Sequence, residues 1–331
     1  MLRQSLTKVG RGVLTAPIVS TGLARHGAVR TPRPTSQANQ HFNNSRMSST
    51  SGYKLVKLAS GVHSVHSLAH QETFHPVIGP MAEAEALYVR QLQLAERLRQ
   101  HEGEFVIWDV GLGAAANAIT VLRQTQKIPA AITLVSFDNT LEPLKFALEH
   151  RDSLGYLAGY EEQIEKLCRE RNTSFANDQQ SITWQVHFAD FPTLLAQSQA
   201  RDFPKPHAIM FDAFSPAKNP AMWTQPLFAN IFHLLDPLRP CALPTYSRST
   251  MLRVTLLLAG FYVGVGHATG EKEETTIAAN TLALIKEPLG SKWLQRAHYS
   301  SSAEPMWEPV YRQKKLSTET WEKLRSHPQF L

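Results

Sequence analysis

A chain of 331 residues with 43% hydrophobic content can bury the core of one large α/β domain or of two small ones. No window approaches about 18 consecutive apolar residues, so no membrane-spanning helix is expected; the two cysteines, Cys168 and Cys241, match neither a metal-ligand spacing nor a disulfide framework, which points to a reducing compartment. The net charge of +6 is unevenly spread: residues 1–71 hold nine Lys and Arg and no acid, leaving 25 basic against 28 acidic residues in the remainder.

Residues 1–52 are rich in Ser, Thr, Arg and Gly, lack hydrophobic periodicity, and read as a disordered basic leader. Such a segment suits an organellar transit peptide, a nucleic-acid arm, or sequence upstream of a start at Met47. The expected location is therefore the cytoplasm, or an organelle if the leader is a transit signal. Leu55–Ser67 alternates as a hairpin or edge segment, and 81–100 carries one apolar helical face. Strands are expected at 105–110, 132–137, 183–188 and 207–212, with helices at 114–126, 141–150 and 227–235 between them. This alternation predicts a doubly wound, mostly parallel α/β sheet. Residues 160–171 read as a charged helix and 172–180 as a polar loop. A fifth strand at 242–246, a helix at 250–259 and two strands at 261–266 and 275–285 complete a domain spanning 53–290, with an antiparallel edge hairpin. Fold-level analogy makes that ending Rossmann-like, of the class I methyltransferase kind. Residues 291–331 read as an irregular tail with Trp293, Trp307 and Trp321 as docking anchors.

The chemistry gathers at one sheet edge. Asp109-Val110-Gly111-Leu112-Gly113 follows the first strand, and its glycines permit a sharp turn and close approach of backbone to a ligand. Later strands end at Asp138, Asp190 and Asp212. Any one of these acids can be a helix N-cap. Four in succession point instead to a nucleoside: Asp138 suits ribose hydroxyls, and Asp190 suits an adenine amino group with Phe191 beside the ring. Ala116 stands where a dinucleotide fingerprint has its third glycine, and no phosphate cradle is present. A cationic nucleoside, S-adenosyl-L-methionine, fits the acids best.

The signature Phe211-Asp212-Ala213-Phe214-Ser215-Pro216-Ala217-Lys218-Asn219-Pro220-Ala221-Met222-Trp223-Thr224 resembles that of the MnmC-like tRNA methyltransferases, which make the 5-methylaminomethyl group of wobble uridine. The resemblance runs from about Glu72 to Ser302. It takes in Gly79–Val89 with Tyr88, the loop through Gly111, Gly113 and Asn117, and Thr245-Tyr246-Ser247 with Arg253. It implies a class I enzyme of the stand-alone form, methylating an exocyclic amine of tRNA, with a separate flavin-dependent oxidase acting on the same nucleoside. It implies cofactor contacts from Tyr88, Asp109, Gly111, Gly113, Asn117, Asp138, Asp190 and Asp212, with Glu72 as a cap over the cofactor. The chain departs from the family at Ala114-Ala115-Ala116, at Pro244 inside the fifth strand, and at Lys272-Glu273-Glu274, where the family carries an Arg.

Asp212 is the expected catalytic residue, orienting the amine and stabilising its developing charge; Phe214 and Pro216 would wall the methyl pocket. Lys218, Asn219 and Tyr246 are expected on the substrate side. Trp223 reads as either a base-stacking face or a buried core indole. His63, His66, His70 and His75 lack the carboxylate or cysteine partners of a metal site, so no metal is expected. Aminopropyl transfer to or methylation of a small amine, a non-catalytic adenosylmethionine-binding role, and an NAD-dependent oxidoreductase are the competing readings.

Overall fold

The computed structural model describes residues 52–177, 179–270 and 273–331. Residues 1–51 of the leader, and Lys272 of the departure noted above, lie outside them. Eleven strands form two sheets among the described residues: β1 (Tyr53–Lys57), β2 (His63–Ser67), β3 (Glu72–Thr73), β4 (Glu104–Val110), β5 (Ala130–Asp138), β6 (Asn172–Ala176), β7 (Gln180–Phe188), β8 (Ala208–Phe211), β9 (Ala242–Thr245), β10 (Tyr262–Gly266) and β11 (Thr275–Ala279). The small sheet is an antiparallel β1-β2-β3 meander. The large sheet has the order β10-β11-β9-β8-β4-β5-β7-β6.

The central strands β7, β5, β4, β8 and β9 pair in parallel, and β10 and β11 pair antiparallel, as expected. The cause is visible in β4. Phe105 and Ile107 face one apolar cluster, while Val106, Trp108 and Val110 face the other. A strand covered on both faces must be apolar at every position, not at alternate ones. Strand order reverses between β4, with β5 and β7 on one side, and β8 on the other. That switch point brings the carboxyl ends of β4 and β8 side by side.

Three local expectations are corrected here. Residues 172–180 are not a loop: Asn172–Ala176 forms β6, antiparallel to β7, with Thr173 buried and its neighbours exposed. Polar alternation of this kind suits an edge strand. The helix at 81–100 is interrupted. Pro80–Ala84 passes into a π-helical stretch, Glu85–Arg90, and a new helix, Leu94–Gln100, starts after Gln93 at φ 51°. The buried Gln91 at the break ties to the β10–β11 hairpin: its Oε1 accepts from His267 N at 2.7 Å and Thr275 Oγ1 at 3.2 Å. Strand β11 stops at Ala279, where the Asn280 side chain turns back to accept from Cys241 N at 2.9 Å. Pro244 is accommodated because β9 meets β8 at one register pair, Ala208 with Ala242, and pairs chiefly with β11.

The tail is not irregular throughout. It contains the helices Ser291–Tyr299 and Thr318–Arg325. Trp293 is buried and stacks on Phe330 at 6.3 Å, and Trp321 lies against His298 at 4.1 Å, whereas Trp307 is exposed and anchors nothing in the core. Gln329 exchanges two 2.7 Å hydrogen bonds with the backbone of Val263, covering the outer edge of β10.

Candidate active site

At the switch point lies a cavity of about 480 Å³, within the range of small-molecule sites. Its walls come from the β4–helix turn, the ends of β5 and β7, the signature loop after β8, and the segment 70–76 that leaves the small sheet. Five carboxylates line it, those of Glu72, Glu83, Asp138, Asp190 and Asp212, and among the described residues no Lys or Arg does.

The glycine turn is built by contact with the signature loop. Gly111 adopts φ +92°, and a Cβ there would lie 2.6 Å from the Asp212 carbonyl oxygen. Gly113 adopts φ +52°, and a Cβ would press the Phe74 ring at 3.1 Å. Gly111 therefore requires glycine, and Gly113 favours it. The Gly113 N–H donates to Asp138 Oδ2 at 2.9 Å, and Thr140 N–H donates to Oδ1 at 3.1 Å, so Asp138 joins two loops at the rim. Burial raises its pKa, opposed by these hydrogen bonds. Asp190 caps the helix Phe191–Leu195 through Thr193 N at 3.1 Å and still faces the cavity.

Asp212 is held from two sides. Asn117 Nδ2 donates to its Oδ2 at 2.7 Å, and His75 Nε2 lies 3.1 Å from the same oxygen and 3.0 Å from Asn117 Oδ1. Both neighbours of Nε2 are acceptors, because Asn117 turns its NH₂ to the carboxylate; Nε2 must therefore carry hydrogen. Burial of the imidazole disfavours its charged form. The Asp212 charge and hydrogen bond, the Glu83 charge and the Asn117 contact outweigh burial and raise the His75 pKa.

The backbone beside Asp212 is fixed carbonyl by carbonyl. Tyr88 Oη donates to Phe211 O at 3.1 Å, Tyr246 Oη to Ala213 O at 3.0 Å, and Trp223 Nε1 to Phe214 O at 2.7 Å. The small sheet covers the loop. Glu72 accepts from Ser215 N at 3.0 Å and from Ser215 Oγ, His70 stacks on Phe214 at 4.0 Å, and Phe74 meets the same ring edge-on at 5.5 Å.

The structure thus brings Glu72, Tyr88, Gly111, Gly113, Asn117, Asp138, Asp190, Asp212, Phe214, Asn219 and Tyr246 to one cavity. It does not bring Asp109, Pro216, Lys218 or Trp223 there. Asp109 is 1% exposed beneath the floor, accepting from Ser136 Oγ at 2.8 Å, and burial pushes its pKa up to about 7. It ends one residue before the chain emerges at the sheet edge. Pro216 is half-buried outside the cavity lining, and Lys218 is in solvent. Trp223 is a core indole at 1% exposure, packed on Phe211 and Phe228, so the stacking-face reading fails. The sequence offers His75 only as a metal-ligand candidate, because no spacing links it to Asp212. Among the described residues no group of three or more His, Cys, Asp or Glu could hold a metal ion.

The donor set fits S-adenosyl-L-methionine: carboxylates for ribose, amine and sulfonium, a glycine at 111 without room for a Cβ, and, among the described residues, no Lys or Arg to repel the ligand. Residues 158–281 match the family described as S-adenosyl-L-methionine-dependent methyltransferase. The chain is 28% identical over 222 residues to the tRNA 5-methylaminomethyl-2-thiouridine biosynthesis bifunctional protein MnmC of an Azoarcus species, covering 63% of this chain and 33% of that protein. It is 23% identical over 234 residues to the protein of that name from Leptospira interrogans, covering 68% and 35%. The chain thus spans about a third of the length of these curated relatives. The crystal structure of MnmC2 from Aquifex aeolicus shares the fold, with a TM-score of 0.60, 24% identity and 84% of each chain covered. Fold and family together define a class I methyltransferase dependent on S-adenosyl-L-methionine. Within that class the chain is MnmC-like.

Proposed function

We propose that the protein methylates the amino nitrogen of an aminomethyl group on a wobble uridine of tRNA. The observation that carries this reading is the clamped carboxylate of Asp212, facing an acid-lined cavity from a loop that matches the MnmC-like signature. When bound, S-adenosyl-L-methionine supplies an electrophilic methyl group. In this reading Gly111, Gly113, Asn117, Asp138 and Asp190 form the cofactor side, and Tyr88 fixes the backbone between the two sides. Asp212 accepts a hydrogen bond from the acceptor amine and stabilises the charge that develops on it. His75 and Asn117 occupy Oδ2 and orient the carboxylate toward the amine. Phe214, with His70 and Phe74 behind it, excludes water; Asn219 and Tyr246 lie on the acceptor side. A separate flavin-dependent oxidase acting on the same nucleoside, and a cytoplasmic or organellar site of action, belong to the same proposal. Among the described residues no helix is long and apolar enough to cross a membrane.

The test is incubation of the purified protein with methyl-labelled adenosylmethionine and tRNA bearing aminomethyl-uridine, followed by nucleoside mass spectrometry. The expected product is the methylaminomethyl nucleoside. Label appearing only in a small amine, or aminopropyl transfer from the decarboxylated cofactor, would replace this reading.

A further inference from the structure

The loop 304–314 is unlike the rest of the surface. Among the described residues ten large hydrophobics are exposed, and four of them, Tyr299, Trp307, Val310 and Tyr311, lie within 13 residues of one another in the chain. The same stretch leads into Arg312, Lys314 and Lys315, all exposed. The tail is also mildly basic, and within the loop Arg312, Lys314 and Lys315 stand against Glu304 and Glu308. Residues 291–331 carry seven Lys and Arg against four Glu, while 72–290 carry 18 against 24 acids.

The loop is built, not loose. The N–H groups of Ala303 and Glu304 both donate to the Lys314 carbonyl, at 2.9 and 3.0 Å, closing its base. The Glu304 carboxylate gathers Ser317 N at 2.8 Å, Thr320 Oγ1 at 2.8 Å and Trp307 Nε1 at 3.3 Å. Met306 is buried, and its carbonyl accepts from Gln225 N at 2.8 Å. Gln225 follows Trp223 by two residues, and Trp223 holds the carbonyl of Phe214 in the cavity wall. The loop is thus tied to the back of the signature loop. Exposed aromatic rings that share one loop with exposed guanidinium and ammonium groups are what unpaired bases and their phosphates require: stacking for the former, charge for the latter. A protein core has no use for them, and the acid-lined cavity supplies neither.

We infer that the loop 304–314, continued by Lys315, is an RNA-binding surface that engages unstacked nucleotides and backbone phosphates of the substrate. Tyr311 and Trp307 provide the stacking faces, and Arg312, Lys314 and Lys315 the phosphate contacts. This rests on the tRNA reading above and supplies the basic footprint that the acidic sheet domain lacks.

Two variants test it, Tyr311→Ala and the triple change Arg312→Gln, Lys314→Gln, Lys315→Gln, with Tyr311→Phe as the conservative control. All change exposed side chains, and unaltered melting temperatures verify folding. Binding of aminomethyl-uridine tRNA is measured against salt concentration, and methylation of the free aminomethyl-uridine nucleoside is measured in parallel. The triple variant should lose on the order of tenfold or more in tRNA affinity near 0.1 M salt, and its salt slope should fall by about 0.7 to 0.9 for each phosphate contact removed. Tyr311→Ala should weaken binding with the slope kept, and Tyr311→Phe should restore it. Methylation of the nucleoside should be unchanged in all. Wild-type affinity and slope in both test variants, as a protein-facing loop would give, overturns the inference. Loop-dependent tRNA binding by a wild-type protein that methylates neither tRNA nor nucleoside would uphold the surface and reject the proposed acceptor.

Discussion

His75 Nε2 stands 3.1 Å from Asp212 Oδ2, so the loop leaving the small sheet and the loop ending β8 meet at one carboxylate. The pKa of His75 is raised, and the sign follows directly: the charged pair stabilises the fold fully below the unfolded value near 6.5 and is lost as pH rises through the higher folded value.

The catalytic consequence runs the other way. An imidazolium on Asp212 offsets the negative charge that stabilises the cation developing on the acceptor amine. We expect kcat/KM for methyl transfer to climb with pH through the raised His75 value. His75→Gln keeps a neutral donor toward Asp212 and should flatten that acid limb. An unchanged limb in the variant would show that a different group titrates.

Asp212→Asn retains shape and can still accept from Asn117 and His75 through its amide oxygen. Turnover should fall by roughly 10²-fold or more, from loss of the negative charge at the developing cation. Cofactor affinity by calorimetry and the melting temperature should move little; collapse of both would assign Asp212 to the fold instead.

Gly111→Ala places a methyl where the Asp212 carbonyl already lies and demands a left-handed backbone. A destabilisation of about 1–3 kcal/mol is expected from the conformation alone, together with loss of cofactor binding. Denaturation curves matching the wild type would contradict the contact.

Asp109 offers a test without chemistry. Its folded pKa is raised from 3.8 to about 7 by burial, so the folded state holds a proton that the unfolded state releases. Stability from this group is present below about pH 4 and is lost progressively up to about pH 7, on the order of a few kcal/mol. Asp109→Asn should therefore narrow the difference in melting temperature between pH 5 and pH 8. Scanning calorimetry at the two values would show it.

Trp223→Phe removes the donor to the Phe214 carbonyl while keeping an aromatic core residue. The expected cost is about 1–3 kcal/mol of stability, with RNA affinity retained. A selective loss of RNA affinity would restore the stacking reading.

The parallel sheet was legible because its central strands are apolar runs ending in acids, and the acids at 138, 190 and 212 reach the cavity as the pattern implied. Asp109 did not, because a strand's last acid and its last residue at the edge differ by one or two positions. Nothing local distinguishes them. Trp223 is in the core for a similar reason: an indole beside a loop has the same sequence signature whether it faces inward or outward. The clamp on Asp212 was hidden because its donors, His75 and Asn117, come from different layers, and only tertiary packing joins them. Strand β6 is not legible in the sequence because edge strands are polar, and their alternation is as weak as that of a loop.

The carbonyls of Phe211, Ala213 and Phe214 are each held by a phenol or an indole from a different element. A backbone fixed at three points is a poor place for adaptation by movement, so divergence toward a new acceptor must proceed through the side chains mounted on it. Phe214 and Asn219 can be exchanged while Tyr88, Tyr246 and Trp223 stay. Libraries varied at those two positions should yield altered acceptor preference in folded proteins, whereas variation of the three donors should mainly yield loss of folding.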